Sequence, residues 1–193
     1  MSPIRFDSVL RRADTAEVVA AVGELEQPRR LAGRGIAQSS DELVQFAFAV
    51  DQTDDWWELT FEDGRHQDYR EGTYSYRSSR NHEQVAAEFF RPMPQALQML
   101  WPTRLLTWAN PHGSFYPVLA QPLGRRSILF TFEHVDDPAY RQTLVVDARS
   151  GVATRLVGFD HALIITSIEP LARWDRAATP AFEPLTGPPE PDY

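Results

Sequence analysis

Cysteine and lysine are both missing from the 193 residues. Without thiols there is no disulfide, no thiolate metal site, no cysteine nucleophile and no lipidated N-terminal cysteine. Without lysine there is no Schiff-base amine and no lysine for a phosphate-binding loop. All nineteen basic residues are arginine, a bias that a GC-rich coding sequence would explain. Long apolar runs are missing too, since nothing approaches the roughly 18 residues of a membrane-spanning helix. The N-terminal stretch is broken by Arg5, Asp7, Arg11, Arg12 and Asp14, so it lacks the apolar core of a secretory signal. A cytoplasmic protein with no integral membrane segment is expected. Positive charge is scarce: a net charge of −8 leaves no broad footprint for nucleic acid.

Chemical motifs are equally sparse. None of His66, His82, His112, His134 and His161 stands three to five residues from another, and Glu83, Glu133 and Asp160 adjoin their histidines directly, where neighbouring side chains are expected to diverge. There is no Gly-x-Ser-x-Gly elbow, and His112 near Ser114 is a lone Ser/His pair in one loop. Asp54-Asp55 and Asp136-Asp137 read as solvated turns. Gly33-Arg34-Gly35 lacks the third glycine and following helix of a phosphate loop, and reads as a bulged or twisted strand. No catalytic residue, metal ligand or cofactor is assigned.

Period-two patterning is what the chain has in quantity. Thr143 to Asp147 and Val152 to Val157 alternate around the turn Asp147-Ala148-Arg149-Ser150-Gly151, and a second turn at Gly158 to His161 leads into the β-branched run Ala162 to Ile168. Earlier, Val44 to Val50 sets Phe46 and Phe48 against Ala47 and Ala49. Trp57, Leu59 and Phe61 follow, then the Asp63-Gly64 turn, a polar strand to Arg70, the Glu71-Gly72 turn and Tyr74-Ser75-Tyr76. Leu31 to Gln38, Phe115 to Ala120 and Ser127 to His134 complete the strands. Helix is predicted from Asp14, where Asp14 and Glu17 have capping-box spacing, to Gln27-Pro28. More helix is predicted from His82, through Val85, Ala86, Phe89 and Phe90, and again from Pro94 to Trp101, with a further turn at Arg104 to Trp108.

Two stretches in order resemble a family. Trp56-Trp57-Glu58-Leu59, Asp63-Gly64-Arg65 and Glu71-Gly72-Thr73-Tyr74-Ser75-Tyr76-Arg77 look like the paired hairpins of lipoprotein carriers of the LolA, LppX and LprG type and related anti-sigma-factor regulators. The closing meander, Leu129 to Phe132, Leu144-Val145-Val146-Asp147, Ser150-Gly151, Thr154-Arg155-Leu156 and Thr166-Ser167-Ile168, is similar to that family's final ladder. The resemblance covers residues 15 to 171. It implies an α+β fold: a strongly curved antiparallel β half-barrel with an N-terminal helix and further helices covering its concave face. One domain is expected over residues 1–174, and the Pro-rich stretch 175–193 is expected to be a mobile C-terminal tail. Signal peptide and lipobox, which the carriers have, are not found.

The function expected is non-enzymatic: a lipid-like ligand, hydrophobic small molecule or peptide held in an apolar cavity between sheet and helices. Its expected lining is Phe46, Phe48, Trp57, Leu59, Phe61, Tyr74, Tyr76, Phe89, Phe90, Met93, Leu97, Leu100, Trp101, Phe130 and Phe132. The alternatives are a protein-interaction or regulatory scaffold with a filled core, including a homodimer through a strand edge or exposed tryptophans, and an enzyme of a small-molecule pathway. Trp56, Trp101 and Trp108 either pack under loops or form a ligand mouth. Arg77, Arg80 and Arg91 are either a headgroup site or a solvated face.

Overall fold

The computed structural model describes residues 7–87, 93–105, 108, 114–173 and 181–184. Its strands are β1 (Ser8–Val9), β2 (Arg30–Ser39), β3 (Leu43–Asp51), β4 (Trp56–Phe61), β5 (His66–Arg70), β6 (Thr73–Arg77), β7 (His82–Ala86), β8 (Phe115–Leu123), β9 (Ser127–His134), β10 (Arg141–Asp147), β11 (Ala153–Val157) and β12 (His161–Pro170). Among the described residues, helices α1 (Thr15–Gly23) and α2 (Gln95–Gln98) and short 3-10 turns at Arg12–Asp14, Pro102–Arg104 and Leu171–Arg173 accompany them.

All twelve strands form one antiparallel sheet in the order β1, β8, β9, β10, β11, β12, β2, β3, β4, β5, β6, β7. Two meanders are joined where β12 pairs with β2, and because β1 does not pair with β7 the sheet stays open. This order dictates what lies across it. The chain leaves β7 at one edge and returns at β8 beside the other, and in between the described residues 93–105 and 108 pack against both meanders as a traversing segment, Trp101 near Trp57 and Trp108 against Phe130 and Phe132.

Alternation along each strand sorts the faces. In β3, Phe46, Phe48 and Val50 enter the main core, and the register carries that face onward as Phe46 opposite Phe61, Phe48 opposite Leu59, and Val50 opposite Trp57. Phe130, Phe132, Leu144, Val146 and Leu156 continue it through the second meander. Val18 and Val22 of α1 and Ala96, Leu97, Met99, Leu100, Trp101, Leu105 and Trp108 of the traversing segment are buried in this cluster. On the opposite face Ala32 and Ala49 pack with Trp56 and Leu171.

Glycine sets the shape of β2. Gly33 pairs with Phe48 and Gly35 with Phe46, and a β-carbon on either glycine would run into the facing ring and a β12 carbonyl. Glycines of this kind, together with register breaks between Pro117 and Leu119, Val145 and Val146, and Ile165 and Ser167, are the devices by which sheets bend.

The helical expectations change most. Val85 and Ala86 belong to β7, not to a helix, because the turn at 78–81 closes a hairpin in which Tyr74 faces Val85 and Arg77 faces His82. Among the described residues the next helix is the four residues Gln95–Gln98, and a 3-10 turn lies at Pro102–Arg104; 88–92, 106 and 107 lie outside them. Helix α1 stops at Gly23, and Asp14 does not cap it; its carboxylate accepts instead from the backbone N–H of Arg11 at 2.8 Å, which closes the 3-10 turn before the helix. Of the tail, only 181–184 is among the described residues: the carbonyls of Ala181 and Glu183 accept from Arg34 and Gln45. The rest of 175–193 lies outside them.

Candidate functional site

Where the first meander meets the traversing segment, the sequence builds a cross-strand row of rings. The hairpin closed by Asp63-Gly64 sets Tyr69 opposite Trp57, and the Glu71-Gly72 hairpin sets Tyr74 opposite Tyr69. Trp57 and Tyr69 stack at 6.4 Å with an 18° tilt, and Trp57 meets Tyr74 at 6.1 Å. Such pairs add to sheet stability beyond their buried area. Met93 and Trp101 close over this end, leaving a cavity of about 50 Å³ lined also by Val50, Asp51, Gln52, Asp55, Trp56 and Arg104.

The lining combines these rings with the charged residues Asp51, Asp55 and Arg104. Arg104 lies 5.3 Å from the centre of the Trp101 ring and Arg70 5.6 Å from that of Trp56. Asp51 is nearly inaccessible, and its carboxylate accepts from the N–H groups of Thr53 (2.9 Å) and Asp54 (3.2 Å) and from Arg30 (3.0 Å). Burial pushes this carboxyl up, but those hydrogen bonds and the Arg30 charge outweigh it and hold it below the usual carboxylate range. Asp55 has a left-handed backbone, φ 51°, a conformation Asp tolerates better than most residues.

A few polar ties hold the traversing segment down. Arg29, 4 % exposed, donates from Nε to the Leu100 carbonyl at 3.1 Å. The Glu26 carboxylate accepts from both the N–H (2.9 Å) and the hydroxyl (2.8 Å) of Thr103, and the Ala153 N–H donates to the Met99 carbonyl at 2.8 Å. Trp108 sets its ring edge against Phe130 (5.5 Å) and Phe132 (4.7 Å), and its Nε1 donates to the Pro102 carbonyl at 2.6 Å.

Of the residues named from sequence, Trp57, Met93 and Trp101 line the cavity and Tyr74 touches it through Trp57. Phe46, Phe48, Leu59, Leu97, Leu100, Phe130 and Phe132 lie wholly inside the packed core. Phe61 is half-buried against Phe46 at the far end of β4, and Tyr76 is half-buried between Gln67 and Glu83. Phe89 and Phe90 lie outside the described residues, as does Arg91. Trp56, Trp101 and Trp108 are all buried; Trp56 and Trp101 nonetheless belong to the cavity lining, whereas Trp108 packs against Phe130 and Phe132. Sequence reading missed Tyr69, Asp51 and Arg104. The Asp63-Gly64 turn was the available signal for Tyr69, since it fixes which residue faces Trp57.

None of the described histidines enters this cavity. His66 lies 3.3 Å from Asp68 and within 2.9 Å of the Thr60 hydroxyl. His161 and Asp160, expected to diverge, meet at 2.9 Å because Asp160 sits in the turn and not in the strand. Both carboxylates are solvent-accessible. Among the described residues no three His, Asp or Glu side chains converge as metal ligands would.

No protein-family model and no curated protein matches the sequence. Solved structures do. A chain of the Pseudomonas aeruginosa MucA/MucB complex aligns with a TM-score of 0.53 and 14 % identity over 87 % of this chain and 59 % of its own. A structure of MucB aligns at 0.48 with 16 % identity (92 % and 64 %), and a LolA superfamily protein from Nitrosomonas europaea at 0.37 with 9 % identity (81 % and 93 %). The chain thus spans about three-fifths of the length of the partner in the first alignment. At this identity the likeness is one of fold alone, shared with that chain of the MucA/MucB complex. No helix among the described residues is long and apolar enough to cross a membrane.

Proposed function

We propose that this chain is a non-enzymatic binding protein that takes an apolar group of a peptide or partner protein between its sheet and the segment crossing it, with Trp57, Tyr69, Met93 and Trp101 around the entrance. The observation that carries this reading is the cavity itself: Trp56, Trp57, Tyr69, Met93 and Trp101 around a small space, with Asp51, Asp55 and Arg104 also in its lining. Its size decides the kind of ligand. About 50 Å³ admits one side chain, whereas pockets for whole small molecules run to roughly 300–1,000 Å³. Burial of that side chain supplies about 25 cal/mol per Å² of apolar surface, and Arg104 and Asp55 of the lining offer charge to the flanking backbone.

A lipid-like ligand is the second reading, favoured by the aromatic sheet face beneath the cover. It requires the segment 93–105 to lift from Phe46, Phe48, Phe130 and Phe132, breaking the ties at Arg29, Glu26 and Ala153. In either reading residues 1–174 act as one half-barrel, with α1 and α2 over its concave side.

Titration of the full chain with an apolar dansylated heptapeptide and with cis-parinaric acid, read by tryptophan energy transfer, tests both. Peptide saturation that Met93→Asp abolishes supports the first reading, and saturation by parinaric acid alone moves the conclusion to the second. Saturation by neither overturns both.

A further inference from the structure

We propose that the end of the sheet formed by the turns at 135–140 and 158–160 docks a basic segment of a partner protein that carries one apolar anchor. This surface lies at the opposite end of the strands from the Trp57 cavity: His161 faces Ser39 at one end of β12, and Pro170 faces Leu31 at the other.

Phe159 is 85 % exposed and Tyr140 49 %, and their rings meet edge to face at 5.8 Å. The row continues from Tyr140 to His134 at 6.4 Å and from His134 to Phe115 at 5.1 Å. Single exposed apolar side chains are ordinary, but four rings in line, with the outermost almost bare, form a patch. Its tip is held outward by a tight turn. The Gly158 N–H donates to the His161 carbonyl at 2.8 Å, and the imidazole lies so close over Gly158 that a β-carbon there would stand 2.9 Å from Nδ1. Beside Phe159 opens a groove of about 330 Å³ walled by Gln38, Ser39, Ser40 and His161.

Charge selects the occupant. Asp136, Asp137 and Asp160 lie in the two turns that carry the rings, Asp160 beside His161 at 2.9 Å and Asp137 accepting from the Ala139 N–H at 2.9 Å, while Arg141 is engaged by Glu133 at 2.7 Å. A second copy of this chain would set the same three carboxylates against these, and an anionic bilayer would be repelled by them and by the net charge of −8. A segment with arginine or lysine on either side of an aromatic or aliphatic residue satisfies both the rings and the carboxylates.

The experiment measures fluorescence anisotropy of a fluorescein-labelled heptapeptide alternating arginine with leucine and phenylalanine, against the same peptide with glutamate for arginine and another with serine for the apolar residues. The basic apolar peptide is expected to bind the full chain at least tenfold tighter than either control, weakening steeply from 50 to 500 mM salt. Phe159→Ser is expected to cut that affinity at least tenfold with an unchanged thermal midpoint, and the triple variant Asp136→Asn, Asp137→Asn, Asp160→Asn to flatten the salt dependence. Met93→Asp leaves this binding intact, which separates it from the cavity reading. Equal binding by Phe159→Ser or by the acidic peptide overturns the proposal, as does a dimer in sedimentation that Phe159→Ser dissolves.

Discussion

The ring of Phe46 fills the space that a β-carbon on Gly35, its partner across the β2–β3 ladder, would occupy. Phe48 stands in the same relation to Gly33, with Cζ 2.7 Å from where that β-carbon would be. Large rings on one strand and bare backbone on the next are complementary, and the rings gain a flat surface to cover.

Replacing Gly35 with alanine therefore adds a methyl where a ring and the Ile164 carbonyl already stand. Overpacking of this kind costs about 1–3 kcal/mol. Urea unfolding should show that loss, and Phe46→Leu, itself destabilising, should recover part of it in the double variant. Strict additivity of the two changes would refute the contact.

Two glycines with positive φ separate strain from crowding. Gly64 (φ +86) has open space around it, so Gly64→Ala bears only the left-handed penalty of about 1–2 kcal/mol. Gly151 (φ +66) lies against the Leu25 carbonyl at the end of α1, so Gly151→Ala adds a backbone collision and should cost at least about 2 kcal/mol more. Thermal midpoints ranked Gly64→Ala above Gly151→Ala are the expected result.

Acid should loosen the fold through Asp51 and Asp147. Burial raises both carboxyls, but in Asp147 the Ser150 N–H and hydroxyl, the Arg149 N–H and the Arg126 charge outweigh it, as the bonds named above do in Asp51. Both sit below their unfolded values. Their contribution is complete above about pH 4 and is lost as pH falls through the depressed folded values. Urea midpoints measured from pH 7 down to 2.5 should fall on that limb, less steeply in Asp51→Asn, which should also be weaker at pH 7.

Arg29 should matter to the cover before it matters to the sheet. Arg29→Ala removes the donor to Leu100 and empties a buried site, a loss of about 2–4 kcal/mol. Hydrogen exchange should rise across 95–105 while the amides of β3 and β10 stay protected. Leu97→Ala, which opens a void in the core, should cost a similar 2–5 kcal/mol but lower protection globally.

How far the chain could be read in advance depended on the range of the interactions. Hairpins announce themselves locally: Asp63-Gly64, Glu71-Gly72 and Ser150-Gly151 are turn chemistry flanked by period-two runs, and those strands lie where the pattern places them. Residues 82–86 did not, because Val85 and Ala86 fit a helical spacing as well as a strand, and only pairing with Tyr74 and Thr73 settles it. The capping box failed for a similar reason, with Asp14 having a nearer donor at Arg11.

Sequence alone determined the faces: which side chains turn inward on each strand follows from alternation and turn position, and so Phe46, Phe48, Trp57, Leu59, Phe130 and Phe132 were legible as one face. Tertiary structure decided what those rings do. Burial against α1 and the traversing segment made most of them packing, left a small cavity beside Trp57, and left Phe159 bare. Neither outcome is local, since each depends on where strands distant in sequence bring the chain back across the sheet.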